Sequence, residues 1–236
     1  PMSLDTINTA TFFMCEKIRG KIILPHKITT IQDNAFEGCR QIHSIEISKK
    51  LNFIAHSAFE KTYNFTRFVG SSTDYYTIHY GVLYNKDMSI LLYCPKGYNC
   101  IYVAHQFIKT INNYAFDNCT QIEHIVMNHV HEIKKYAFNG CTKLKKVTLG
   151  KEYNYFDRSI FNGCQNLKEI SIRNGNVNYR SVDGVLYSAD MKTLIFCPRG
   201  KIGVIKIPKT VEHIADYAFE GCNQLTKIKF SKRIKT

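Results

Sequence analysis

Apolar residues along this chain fall into a phrase that keeps returning: I-x-x-x-A-F-x-x-C-x-x-[IL]-x-x-[IV]. One copy is Ile31, Ala35-Phe36, Cys39, Ile42 and Ile45; another is Ile111, Ala115-Phe116, Cys119, Ile122 and Ile125. It recurs as Ile133, Ala137-Phe138, Cys141, Leu144 and Val147, and as Ile214, Ala218-Phe219, Cys222, Leu225 and Ile228. Two copies are degenerate. The one at Ile54 and Ala58-Phe59 has Thr62 in the cysteine slot, and the one at Phe156 and Ile160-Phe161 continues through Cys164, Leu167 and Ile170. Phe36 and Phe59 lie 23 residues apart, Phe116 and Phe138 22, and Phe138 and Phe161 23. A period of this length means a solenoid, in which each unit packs on its neighbours and the array forms one elongated core.

Within a unit the segment after the cysteine, as in Lys143–Leu149, ends on three residues that alternate apolar-x-apolar and is rich in β-branched residues. That predicts a strand with its apolar members inward, and stacked copies predict a parallel sheet along one wall. The segment before Ala-Phe, such as Thr210–Ile214, predicts a shorter strand on the opposite wall. Between them Ala-Phe-x-x-Cys suits one helical turn with Ala and Phe inward. Gly38, Gly140, Gly163, Gly221 or Asn118 follows, residues that accept a left-handed backbone and can swing the chain into the sheet.

Two gaps between copies are long, and both hold the same insert. Gly81-Val-Leu-Tyr84 through Gly97 and Gly184-Val-Leu-Tyr187 through Gly200 lie 103 residues apart in register. Each predicts a β-hairpin: strands 184–187 and 193–196 flank a polar turn, and Pro198 stops the second strand. Arg19–Pro25 echoes Lys201–Pro208, so the chain is expected to begin inside a further unit and to be a fragment of a longer array, with residues 1–236 forming a single solenoid.

Composition changes this picture little. Hydrophobic residues make up 44%, enough for a continuous core, and no apolar run is long enough to span a membrane. The opening Pro1-Met-Ser-Leu-Asp5 has no basic stretch followed by an apolar one, so no signal peptide is read there. The net charge of +13 favours acidic partners, but the lysines are scattered singly as on a solvated repeat surface, and nucleic acid is not expected. Five of the nine cysteines occupy one repeat slot, and Cys94 and Cys197 share an insert slot. They are expected to form inward ladders of free thiols. Bridging would need Cβ atoms about 4 Å apart; Cys94 or Cys100 is the readiest participant should a stray disulfide form. Cys15 and Cys100, outside these slots, are expected to be the accessible thiols.

The residues resemble the BspA-like, or Treponema-type, leucine-rich repeats. That family carries I-x-x-x-A-F-x-x-C-x-x-L-x-x-I-x-[IL]-P and often interleaves D-G-V-L-[YF], matched by Asp183–Tyr187 and continuing to Pro198. Thr62, Ile160 and Tyr80 depart from the pattern. The resemblance implies a β-rich leucine-rich-repeat solenoid of coils about 23 residues long, with a parallel sheet, short helical turns and two inserted hairpins. It also implies adhesin-like proteins of mucosal bacteria and of parasitic or commensal protists, on the cell surface or secreted, that bind host matrix proteins.

Phosphate-binding, zinc-protease and nucleophile-elbow motifs are all missing, so no enzyme, cofactor or metal site is expected. His129 and His131 read as an exposed turn. What remains is a surface. Outward strand positions should align into two columns. The first holds Ser44, Arg67, His124, Lys146, Glu169 and Lys227; the second holds Glu46, Val69, Val126, Thr148, Ser171 and Lys229. Their chemistry is mixed, with no aromatic cluster. The expected function is non-catalytic capture of a protein partner, such as host matrix or another acidic surface, on this face. The alternative is an intracellular interaction scaffold.

Overall fold

The computed structural model describes residues 4–99 and 101–235 and folds them as a β-solenoid. The coil that starts at Thr30–Ile31 shows how the repeat phrase works. After this two-residue strand the chain tightens, with Ala35 N–H donating to Gln32 O at 3.3 Å and Cys39 N–H to Phe36 O at 3.1 Å. The same turn reaches the next coil, since Phe36 N–H donates to Ala58 O and Gly38 N–H to Glu60 O, both at 2.8 Å. Gly38 sits at φ +73° and its counterpart Asn118 at +52°, so the expected left-handed residue does redirect the chain into the strand Gln41–Glu46. One coil tightens further, into a 3₁₀ turn at Arg158–Phe161 whose first N–H groups are capped by Asp157.

The phenylalanines form the predicted inward ladder. Ring centroids lie 5.4 Å apart for Phe36 and Phe59, 5.1 Å for Phe116 and Phe138, and 5.6 Å for Phe138 and Phe161. Phe219 is the exception; it is half-buried because its coil packs on one neighbour rather than two. Phe12 extends the ladder at the other end, 5.1 Å from Phe36. Residues Ile7, Thr11-Phe12, Cys15 and Ile18 are therefore a further degenerate copy, paired through Ile7 with Ile31. Cys15 belongs to the cysteine slot, contrary to expectation.

The slot does more than fill space. Cys39 Sγ donates to Phe12 O at 3.0 Å, Cys141 Sγ to Phe116 O at 3.0 Å and Cys164 Sγ to Phe138 O at 3.1 Å. Each thiol is thus a weak staple between coils. Thr62 keeps a donor in the slot and spends it on Phe59 O of its own coil. Cys94 is buried and free, Cys222 is only half-buried, and Cys100 lies outside the described residues.

The main wall is parallel, as the strand pattern predicts, but broken into three sheets. Arg19–Ile23, Gln41–Glu46 and Arg67–Val69 form the first; Tyr102–Val103, His124–Met127, Lys146–Leu149 and Glu169–Ile172 the second; Gly203–Lys206 and Leu225–Lys229 the third. The breaks fall at the inserts. There Phe68 N–H bonds to Gly81 O at 2.9 Å and Ile170 N–H to Gly184 O at 3.0 Å, so a turn glycine takes the place of the next strand. Each insert is more than a hairpin. Tyr76–His79, Val82–Asn85 and Ile90–Tyr93 form an antiparallel meander, repeated at Tyr179–Val182, Val185–Ser188 and Thr193–Phe196. The last strand of each then pairs in parallel with the next short strand, Thr110–Ile111 or His213–Ile214, and returns the chain to the solenoid.

Candidate functional site

Strand register places the predicted columns as read within each sheet. Ser44 pairs with Arg67 and Glu46 with Val69; His124 pairs with Lys146 and Lys146 with Glu169; Thr148 pairs with Ser171. Lys227 and Lys229 lie beside Val204 and Lys206 in the third sheet. Ser44 is not an open position: at 6% exposure it is shielded between Lys21 and Arg67, whose longer side chains flank it in register. His124, Thr148 and Ser171 are half-buried. Much of the charge is spent within the face. Lys146 meets Glu169 at 2.8 Å, and Ser171 Oγ donates to the same carboxylate at 2.5 Å. Hydrogen bonds from Lys146 and Ser171 hold the Glu169 carboxyl below its ordinary range. Glu46 meets Lys21 at 2.5 Å. Arg67, Lys227 and Lys229 are exposed and have no ion-pair partner among the described residues.

An aromatic cluster, contrary to expectation, interrupts the columns at the first insert. Tyr80 at φ +48° and Gly81 at +78° make a two-residue turn of the kind that suits a twisted hairpin, reversing strand 76–79 into 82–85. A Cβ on Gly81 would lie 3.1 Å from Arg67 Cα, so the turn is seated directly on Arg67 and holds Tyr80 beside it. Tyr80 is 85% exposed. His79 packs against it with ring centroids 4.3 Å apart, against His105 at 5.4 Å, and His105 packs against Phe107 at 4.8 Å. Burial, and then the neighbouring His105, push the His79 imidazole below its usual value. Phe107, Ile101 and Val103 are 55%, 58% and 61% exposed. Val103 lies in register with half-buried Val126, so it is a member of the second column that the repeat phrase alone does not reveal.

A second cluster lies at the turn edge of the coils. Lys96 is buried at 1% exposure, yet its Nζ donates to Asp117 Oδ2 at 2.8 Å, Asp117 O at 2.6 Å and Glu60 Oε1 at 3.0 Å. Asn139 Nδ2 continues the chain to Asp117 Oδ1, and Asn162 Nδ2 to Asn139 Oδ1, both at 2.6 Å. Burial, then the hydrogen bond with Asp117, push the Glu60 carboxyl up. Burial alone would lower the Lys96 ammonium; Tyr93, Asp117 and Glu60 more than reverse this and hold it charged. The ammonium and both carboxylates are satisfied within the cluster, which makes it a structural spine.

Among the described residues no group of three or more His, Cys, Asp or Glu could hold a metal ion, and no helix is long and apolar enough to cross a membrane.

The stacked coils with their paired cysteine and phenylalanine slots define a leucine-rich-repeat protein. The chain belongs to the BspA type leucine rich repeat region family, whose model matches residues 1–98, 93–199 and 191–236 in six copies. No curated protein matches it. Its fold is similar to that of a leucine rich cell surface protein of Faecalibacterium prausnitzii, at 22% identity and a TM-score of 0.60, over 94% of this chain and 62% of that one. It is also similar to a leucine-rich repeat protein of Eubacterium ventriosum (17% identity, TM-score 0.55, 100% of this chain and 84% of that one). A third likeness is the pneumococcal vaccine antigen PcpA (20% identity, TM-score 0.53, 92% of this chain and 56% of that one). The chain thus spans less than two thirds of the first and third of these. None of the comparisons indicates an enzymatic family.

Proposed function

We propose that this chain is a non-catalytic module that captures an acidic protein, of the kind found in host extracellular matrix, on the outward face of its main wall. The reading places it in a protein displayed on the cell surface or secreted, in keeping with its likeness to a cell surface protein. One observation carries it. Tyr80, Phe107, Ile101 and Val103 are exposed together beside an unpaired arginine, Arg67. Contiguous exposed apolar groups mark interaction surfaces, and Tyr and Arg are the side chains that most often dominate binding energy. Tyr80 strengthens the reading, because a bulky residue at positive φ is strained and this turn accommodates Asp183 in the second insert. Ser44, Glu46, Lys146, Glu169 and Ser171 then act as a neutralised surround, and Arg67, Lys227 and Lys229 provide free positive charge that speeds encounter.

The test compares the native chain with a Tyr80→Ser, Ile101→Ser, Val103→Ser, Phe107→Ser variant on surfaces of purified fibronectin, fibrinogen and laminin. The native chain should bind at least one of them in a salt-sensitive way, and the variant should bind at least about tenfold more weakly, the loss of one strong hot spot. Its melting temperature should hardly change, since all four residues are exposed. Equal binding by the variant, or none by the native chain, overturns the assignment.

A further inference from the structure

The spine at Lys96 has a counterpart 102 to 103 residues later that is built open instead of closed. Asp33, Ser57, His56, Glu60, Lys96, Tyr114 and Asp117 correspond to Lys135, Ser159, Arg158, Asn162, Arg199, Tyr217 and Glu220. The stacking arrangement is kept: His56 stacks on Tyr114 with centroids 4.6 Å apart, and Arg158 lies over the Tyr217 ring at 4.0 Å. The chemistry is not kept. In the first unit Ser57 Oγ donates to Asp33 at 2.5 Å, and Lys96 is held by two carboxylates. In the second, lysine replaces Asp33, and the Ser159 Oγ is shielded from solvent with no hydrogen-bond partner among the described residues. Asn162 replaces Glu60, so Arg199 keeps one carboxylate, Glu220, at 3.6 Å, and shares it with Arg158 at 2.6 Å. At these seven positions three carboxylates and one cation have become one carboxylate and three cations, and Asp157, where the first unit has Ala55, adds a second carboxylate.

The result is a cavity of about 370 Å³ between Tyr136 and Arg158, floored by Ser159 and Asn162 and walled by Arg199 and Lys135. That is within the range of small-ligand sites, roughly 300–1,000 Å³. Tyr136 stands where the first unit has Asn34, and it is held at φ +59° with its ring stacked on Tyr114 at 5.3 Å. One face of that ring is covered, and the ring lines the cavity.

We propose that this cavity binds an acidic saccharide: a sugar ring bearing a carboxylate. The C–H face of the ring lies on Tyr136. The carboxylate answers the net surplus of one positive charge in a lining where Lys135 lies 4.0 Å from Asp157 and Arg199 shares Glu220 with Arg158, since guanidinium–carboxylate pairing is strong and directional. Sugar hydroxyls, which both donate and accept, suit a lining that offers the Ser159 hydroxyl, the Asn162 amide and the Asp157 carboxylate together. An acidic peptide side chain would use the cations and leave the aromatic platform and Ser159 unmatched. The site lies on the turn edge, away from the main-wall face, and does not depend on the proposed protein capture.

The test uses ligand-detected saturation-transfer NMR and titration with methyl β-glucuronide, the methyl glycoside of N-acetylneuraminic acid, methyl β-glucoside and acetate. At least one acidic glycoside should receive saturation at its ring protons and bind at least fivefold more tightly than both the neutral glucoside and acetate. Tyr136→Ala should weaken it at least fivefold, Tyr136→Phe should retain it, and Lys135→Glu, at an exposed side chain, should remove the preference for acid over neutral sugar. Thermal melts check that each variant is folded. The Tyr80, Ile101, Val103, Phe107 variant should bind the sugar as the native chain does. No saturation transfer to any glycoside overturns the proposal. So do acetate binding as tightly as the glycosides, which marks a bare anion site, and undiminished binding by Tyr136→Ala.

Discussion

The two insert-bearing units share one backbone and differ in what they expose. The first puts Tyr80, His79 and Val103 on the main-wall face and buries its charges as Glu60–Lys96–Asp117. The second puts Asp183, Val182 and Lys206 at the same face positions and leaves its charges at the rim of a cavity. Residues that packing fixes, such as Phe116 and Phe219 or Cys94 and Cys197, are kept in both. The solenoid thus separates two tasks: inward slots hold the coils together, and outward slots are free to carry recognition, so likeness of fold does not carry over likeness of ligand.

The sharpest way to break this comparison is to remove the two equivalent cations. Lys96→Met leaves Asp117 and Glu60 as uncompensated carboxylates in a closed cluster and should destabilise the protein by ~3–5 kcal/mol. Arg199→Met, at a site whose carboxylate is 46% exposed, should cost no more than ~1 kcal/mol. Chemical denaturation of the two variants checks this, and equal losses would mean that both clusters are structural.

The thiols should separate in the same direction. Cys119 and Cys222 are equivalent, but Cys119 is buried and Cys222 is half-buried. Cys222 donates to Cys197 O at 3.4 Å, and its pKa is lowered, chiefly through its contact with Cys197. Burial raises Cys39 to about 11 and Cys164 to about 12. With a thiol reagent at neutral pH, Cys222 and Cys15 should be labelled at least about tenfold faster than Cys39, Cys119, Cys141 or Cys164, because the exposed thiolate is the reactive species. Mass spectrometry of time points reads this directly.

A smaller effect concerns pH. Glu60 is raised above its ordinary 4.5, so its contribution to stability is complete below pH 4.5 and is lost as pH rises through the raised value. Asp117 is lowered and works the other way, contributing above pH 3.8 and losing that contribution as pH falls through its folded value. Between pH 4.5 and 7 the Glu60 loss should lower the native melting temperature, and Glu60→Gln, which mimics Asn162, should reduce that fall. An unchanged slope would place the titration elsewhere.

The smallest effect tests whether Tyr80 is kept for binding. Tyr80→Asn relieves a bulky residue at φ +48° and should stabilise the fold by ~0.5–1 kcal/mol while weakening capture on the matrix surfaces. If it stabilises without weakening capture, Tyr80 does not recognise the partner.

The coil, its inward Phe and Cys slots, the left-handed Gly or Asn and the in-sheet columns are all readable from period and spacing, because packing repeats them. The omissions have particular causes. Strands 76–79 and 179–182 lack the alternation of the repeat, and their best signal was the turn dipeptide Asp183-Gly184, which pairs a strand on each side and not only the one that follows. The copy at Ile7–Ile18 is hidden by Thr11 and Met14 in the Ala and Gly slots. Val103 and Ile101 fall outside the columns that the repeat phrase defines because their coil lacks that phrase, and the aromatic cluster beside them has no repeat signal of its own. The burial of Ser44 depends on the length of its neighbours' side chains, and the Tyr136 cavity on a difference between two units; neither is visible in a single repeat.

The bonds from each thiol to the coil before it carry a consequence for biogenesis. A chain with nine cysteines that meets an oxidising compartment runs a race between coiling and mispairing. Neighbouring coils are close in sequence, so their contacts form early, and low contact order favours fast folding. Disulfide formation takes seconds to hours. Once two coils meet, the sulfurs of Cys39, Cys119, Cys141 and Cys164 are already engaged by the coil before and out of reach of oxidants, so the order of assembly itself favours free thiols at those positions.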